Sequence, residues 1–341
     1  MLVKITLRRA VAALLALLAA GMVAAWSGIV PIAASSGHWA ITDWFLHWTM
    51  QNSARTYSAF QTPETVRDDT ALVSAAGHFR QACQVCHGAP GAPPSPAMQA
   101  ATPPAPNLAE TAARYSDREL FWIVRHGVKY TGMPAWPQGA RDDEIRRMVG
   151  FIRRLPTMSA LEYRTLTPSA AASDPQGALA GCTGCHGGDG MGRGQPDIPV
   201  LAGQKADYLA RSLRQHAAGQ GDSAVMQVAA AGLSEPEIKA AAAFFAGLPG
   251  LPDAALPKSH ALLDAGLPGR QVPACAGCHA PGKGAPLIGG QRAPYLAARL
   301  RRWRGEETVI DAAKPQDPMA VIARRIPASE IDTLARALSR Q

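Results

Sequence analysis

The chain has 341 residues, more than one compact core of ordinary size accommodates, so length predicts two or three domains. Apolar residues make up 47%, much of this Ala, with 32 Gly and 28 Pro; that composition suits small helical domains joined by long turns and argues against extensive sheet. The formal net charge of +8 is the sole hint of nucleic-acid binding. An export signature removes even that, and no phosphate loop, catalytic triad or usefully spaced acid pair is present.

Residues 1–36 read as a signal anchor or transmembrane helix. Lys4, Arg8 and Arg9 precede an uncharged run from Ala10 to Ala34, long enough to cross the hydrocarbon of a bilayer. Positive charge before the run keeps the amino terminus in the cytoplasm and sends the rest outward. Small residues such as Val23 and Ala25 leave cleavage by a signal peptidase as the alternative. In 37–62, Ile41, Trp44, Phe45 and Trp48 recur at helical spacing after Trp39, as in a helix lying in the membrane interface. An aromatic stripe packed on a domain or partner is the competing expectation.

A first domain is expected over 63–158. Its opening helix includes Leu72, Val73, Ala76 and Phe79 and leads into Cys83-Gln84-Val85-Cys86-His87. A Pro-rich loop runs from Pro90 to Pro106. Helices are predicted over Asp117–Val128 and Asp142–Leu155, the latter with Ile145, Val149 and Ile152 inward. Stretches near 156–176 and 247–258 read as linkers.

The second domain (168–250) and third domain (258–341) repeat each other. Cys182-Thr183-Gly184-Cys185-His186 matches Cys275-Ala276-Gly277-Cys278-His279, and Pro199-Val200-Leu201-Ala202-Gly203-Gln204 matches Pro286-Leu287-Ile288-Gly289-Gly290-Gln291. The closing helices correspond at Glu237-Ile238 and Glu330-Ile331, and Ser234 with Glu237 forms a capping box.

All six cysteines thus fall into three Cys-x-x-Cys-His sequences. That form suits covalent attachment of haem c: two thiols add to the porphyrin vinyl groups and the adjoining His ligates iron. Three haem c groups are therefore expected. A thioredoxin-like pair does not need the repeated His, and a zinc site wants two such pairs close together.

These residues resemble the class I c-type cytochromes over nearly all of the chain after the anchor. The second and third domains together resemble the tandem di-haem cytochromes of the c4 type, in which Pro-x-Leu-x-Gly-Gln follows the haem pair. The first domain looks like a separate single-haem module. The resemblance implies an all-α fold of three consecutive class I domains after an N-terminal membrane anchor helix. It also implies a Met as the second axial ligand of each iron, opposite His87, His186 and His279.

Met319 is the one Met after His279, and Met226 follows His186 by the same forty residues. Met191 lies too near His186 to reach the other face. In the first domain Met133, within Thr131-Gly132-Met133-Pro134, leads over Met98, Met148, Met158 and His126. Pro106, Pro199 and Pro286 are implied carbonyl acceptors for the free ring nitrogen of each ligand His.

Irons closed on both faces imply an electron carrier in the bacterial inner membrane, with its haem domains in the periplasm. The expected partners are redox proteins: a quinol-cytochrome c reductase, a terminal oxidase or a dehydrogenase. The cytochrome subunit of a membrane-bound dehydrogenase is the alternative, and a haem enzyme such as a peroxidase or sulfur-compound oxidoreductase is the alternative of another class. Arg299, Arg301, Arg302 and Arg304 form a cluster expected either to steer an acidic partner or to be a solvated helix face.

Overall fold

A computed structural model describes residues 6–168, 179–253, 255–305 and 318–339. Helix is the regular structure of the described residues, which include no strand and only two isolated bridges, Ala89 with Ala92 and Leu267 with Val272.

The first helix, Leu7–Trp26, has 20 residues and is long and apolar enough to cross a membrane. It is shorter than the uncharged run because Gly28 (φ 71°) and Pro31 follow it, and neither continues a helix readily. The aromatic segment is a longer helix than its stripe suggests, Ala40–Gln61. Its two ends behave differently. Trp44, Phe45 and Trp48 are exposed, whereas Tyr57 stacks on Trp122 at 5.8 Å and Arg118 donates to Thr62 at 2.8 Å, seating the far end on the first domain.

In that domain, Ser116 and Glu119 cap the Asp117–His126 helix reciprocally, which satisfies two of its orphan amides. The helix stops two residues before the expected Val128. Gly127 turns the chain at φ 65°, and a Cβ there would lie 2.5 Å from the Pro134 carbonyl carbon, so the following loop folds back onto it. The closing helix Asp142–Arg154 opens with three acids and buries Ile145, Met148, Val149 and Ile152, as suits a helix dipole and an inward apolar stripe.

The expected linker at 156–176 carries structure. Ser159 caps a helix, Ala160–Leu166, whose Tyr163 is buried and donates its hydroxyl to Gln84 at 2.7 Å; residues 169–176 of that stretch lie outside the described part. The described residues of 247–258 are irregular after the first turn, but Leu251 is buried and its amide donates to the Ala202 carbonyl at 2.7 Å.

The second domain comprises Ala180–His186, Ala206–Ala217, Ala224–Ala230 and Glu235–Ala246; the third includes Ala276–His279, Ala293–Arg304, Pro318–Arg325 and Ile331–Leu338. The expected capping box is present, with Glu237 accepting from the Ser234 amide at 2.7 Å. Each domain has its own apolar cluster, and a smaller one of Val200, Ala202, Leu251 and Leu287 joins the second to the third. The first core includes Ala224 of the second domain, so the first domain is packed onto its neighbour.

The arginines of the cluster are engaged within the molecule, Arg302 buried and Arg301 at the surface. Arg299 and Arg302 reach Asp222, Arg302 also faces Asp143 at 3.7 Å, Arg301 pairs with Asp332 at 2.7 Å, and Arg304 donates to the Ile326 carbonyl. Helical spacing shows which arginines share a face, but it cannot show which acids from other domains meet that face.

Candidate haem-attachment sites

Each Cys-x-x-Cys-His sequence sits on a short helical turn, so both thiols and the His lie on consecutive corners. In the first domain Leu72–His78 passes through a wide turn at Phe79–Cys83 into Gln84–His87, with Phe79 fully buried 5.2 Å from Phe151. The His87 Nδ1 stands 2.8 Å from the Pro106 carbonyl, and the His279 Nδ1 stands 2.7 Å from that of Pro286. A carbonyl only accepts, so each Nδ1 carries the proton and the Nε2 lone pair is left to face a metal.

Burial lowers the pKa of both rings against the opposing proline carbonyls. His186 is lowered to about 4 by burial; the Pro199 carbonyl opposes this, although its Nδ1 does not meet hydrogen-bond geometry.

None of the six cysteines forms a disulfide. Burial pushes Cys83 up to about 12 and Cys185 and Cys275 up to about 11, so with nothing bound these three are neutral thiols. Among the described residues no three His, Cys, Asp or Glu side chains converge as a metal site. Paired neutral thiols beside an imidazole with a free Nε2 fit haem c, whose iron takes its other donors from the porphyrin.

Met133 is half-buried in a tight loop, its amide donating to Thr131 Oγ1 at 3.1 Å and its carbonyl accepting from Val128 at 3.1 Å. Met226 is the third residue of the Ala224–Ala230 helix, and Met319 is half-buried against the third core, as is Cys275. Among the rivals, Met148 and Met158 belong to the first core, and His126 is exposed at a helix end, its ring tilted by 41° against Trp122 at 5.1 Å. Met191 packs at the joint between the second and third domains, where its carbonyl accepts from Arg292.

Residues outside the haem-attachment sequences support the sites. Gln204 exchanges two hydrogen bonds with Leu287 (2.9 and 3.0 Å), and Gln291 exchanges two with Val200 (2.9 and 3.0 Å). Each clamp thus grips the residue after Pro286 or Pro199. The recurrence of Gln in both repeats is the signal that could have pointed to this pairing. Glu144 and Asp143, buried at the junction of the domains, gave no such signal.

The family model described as cytochrome c oxidase, cbb3-type, subunit III, matches residues 70–152. The thiosulfate dehydrogenase electron acceptor of Stutzerimonas stutzeri (strain A1501) is 36% identical over 170 residues, which are 46% of this chain and 77% of that protein. Cytochrome c4 of Azotobacter vinelandii is 29% identical over 199 residues, covering 51% of this chain and 89% of the relative. The solved structure of reduced cytochrome c4 from Pseudomonas stutzeri aligns with 50% of this chain and 98% of its own, at 29% identity and a TM-score of 0.40.

Proposed function

The chain belongs to the class I c-type cytochromes, and we propose that it transfers electrons on three covalently bound haems, one in each of the domains 63–158, 168–250 and 258–341. The helix Leu7–Trp26 would hold it in the bacterial inner membrane, and the haem domains would face the periplasm. The pairing of His87 with Pro106 and of His279 with Pro286 carries this reading: the same tautomer-setting contact recurs in two domains, at the residues that the haem motif singles out.

Haem bound at these sites would supply an iron that gains or loses one electron. The chain supplies the rest. Cys83 with Cys86, Cys182 with Cys185 and Cys275 with Cys278 would anchor the ring. The Nε2 atoms of His87, His186 and His279 would bind one face, and the thioethers of Met133, Met226 and Met319 the other. Two protein ligands per iron close it to small molecules, which makes a carrier and not a catalyst, and a soft thioether favours the reduced state.

Partners would be a quinol-cytochrome c reductase and a terminal oxidase. A second reading, favoured by the name of the Stutzerimonas relative, makes the donor a periplasmic dehydrogenase. A pyridine haemochrome assay on the purified chain should give three haems, and the reduced protein should not bind carbon monoxide. A haem that binds carbon monoxide readily would support the haem-enzyme alternative. Isolation of the native membrane complex separates the two donors, since a co-purifying dehydrogenase favours the second reading.

A further inference from the structure

We propose that Glu144 of the first domain is the positioning residue for Met226 of the second. This rests on Met226 being an axial ligand and adds what holds it there. Glu144 is 5% exposed. Its Oε1 accepts from Ser223 Oγ at 2.7 Å, and its Oε2 accepts from the Ala224 amide at 3.0 Å and from Trp136 Nε1 at 3.3 Å. Ser223 Oγ in turn accepts from the Met226 amide at 3.2 Å. A relay of two hydrogen bonds thus joins the carboxylate of one domain to the backbone of the methionine in another.

The surroundings reinforce this link. Arg141 pairs with Glu144 at 3.0 Å and also donates to the Asp222 carbonyl, while Ala224 is fully buried in the first core. From the opposite side Arg299 and Arg302 of the third domain meet the Asp222 carboxylate. The Met226 helix has seven residues, too few to hold its shape alone in water, so its place is set by tertiary contacts, among them those that grip its first turn. Trp136 stands three residues after Met133, so the same carboxylate is bonded near both methionine segments. A buried carboxylate that satisfies three donors and an arginine is costly to remove, because the donors are left unpaired.

The test uses the full haem-loaded chain, read by haem content, the near-infrared thioether absorption of the ferric protein and carbon monoxide binding by the reduced protein. Glu144→Ala should leave three haems attached, remove the thioether absorption of one, and speed carbon monoxide binding at that haem roughly tenfold or more, the scale of one lost charged hydrogen bond. Ser223→Ala, which breaks the relay but spares Trp136, should act in the same direction, and Glu144→Gln should restore part of the absorption. Where Glu144→Ala does not accumulate with haem, Ser223→Ala and Glu144→Gln decide alone.

Variants that melt at lower temperature with unchanged absorption and carbon monoxide binding would overturn the proposal, leaving Glu144 a purely structural residue. Met226→Ala separates the two levels. If it leaves all thioether absorption intact, the ligand reading itself fails; if it removes one haem's share while the Glu144 and Ser223 variants do not, only the positioning role falls.

Discussion

Gly77 has space for a hydrogen and little more, since a Cβ there would stand 2.6 Å from Cys185 Sγ. The opening helix of the first domain therefore runs directly against the cysteine through which the second domain would bind haem. A free thiol could rotate away from an added methyl, but a thioether fixed to the ring could not. Gly77→Ala should accordingly cost about 1–3 kcal/mol of stability in the haem-loaded chain, the usual range for overpacking. The loss should largely vanish in a Cys182→Ser, Cys185→Ser background. Thermal melts of the four proteins form the cycle that reads this coupling. The cysteine spacing was plain in the sequence because covalent chemistry demands it within five contiguous residues. The need for Gly77 was not, because its neighbour lies more than a hundred residues away in the chain.

At the scale of elements, helix ends follow local rules that reading along the chain recovers. Ser116 with Glu119 and Ser234 with Glu237 begin their helices as capping chemistry requires, and Gly127 ends one where a left-handed turn is needed. The first turn of Asp142–Arg154 obeys a second set of demands as well. Asp143 is buried, which by itself would raise its pKa. The Arg141 hydrogen bond (2.7 Å), with the charges of Arg141, Arg147 and Arg302, outweighs burial and holds the carboxyl well below the usual carboxylate range. A carboxylate whose folded pKa is depressed stabilises the fold fully above its unfolded value of about 3.9, and that contribution is lost as pH falls further. The junction should therefore loosen in acid. Melting temperatures followed from pH 7 to pH 3 should fall more steeply in the native chain than in Asp143→Asn, which should start lower at pH 7 and lie flatter.

Across the whole molecule, the repeat evident between the second and third domains becomes a reciprocal joint. Gln204 and Gln291 occupy matching positions, and each satisfies the backbone of the opposite repeat inside a buried seam. Removing one amide strands a buried amide and carbonyl, at about 1–3 kcal/mol per unsatisfied group. Gln204→Ala with Gln291→Ala should split a single melting transition into separate ones for the two domains, and small-angle scattering should show a more extended particle. A double variant that keeps one sharp transition and its compact dimensions would assign the joint to the apolar contacts of Val200, Ala202, Leu251 and Leu287 instead.

The helical class, the apolar first helix, the haem motifs and the duplication are legible along the chain, since each is written in residues that are neighbours or recur at fixed intervals. Packing alone reveals that the first domain shares its core with the second, and that Arg299 and Arg302 turn to Asp222. It also placed Glu144 under the Met226 helix. The physical reason is burial. Whether a charge faces water or another charge depends on surfaces brought together from distant parts of the chain, and no local period or spacing records which surfaces will meet.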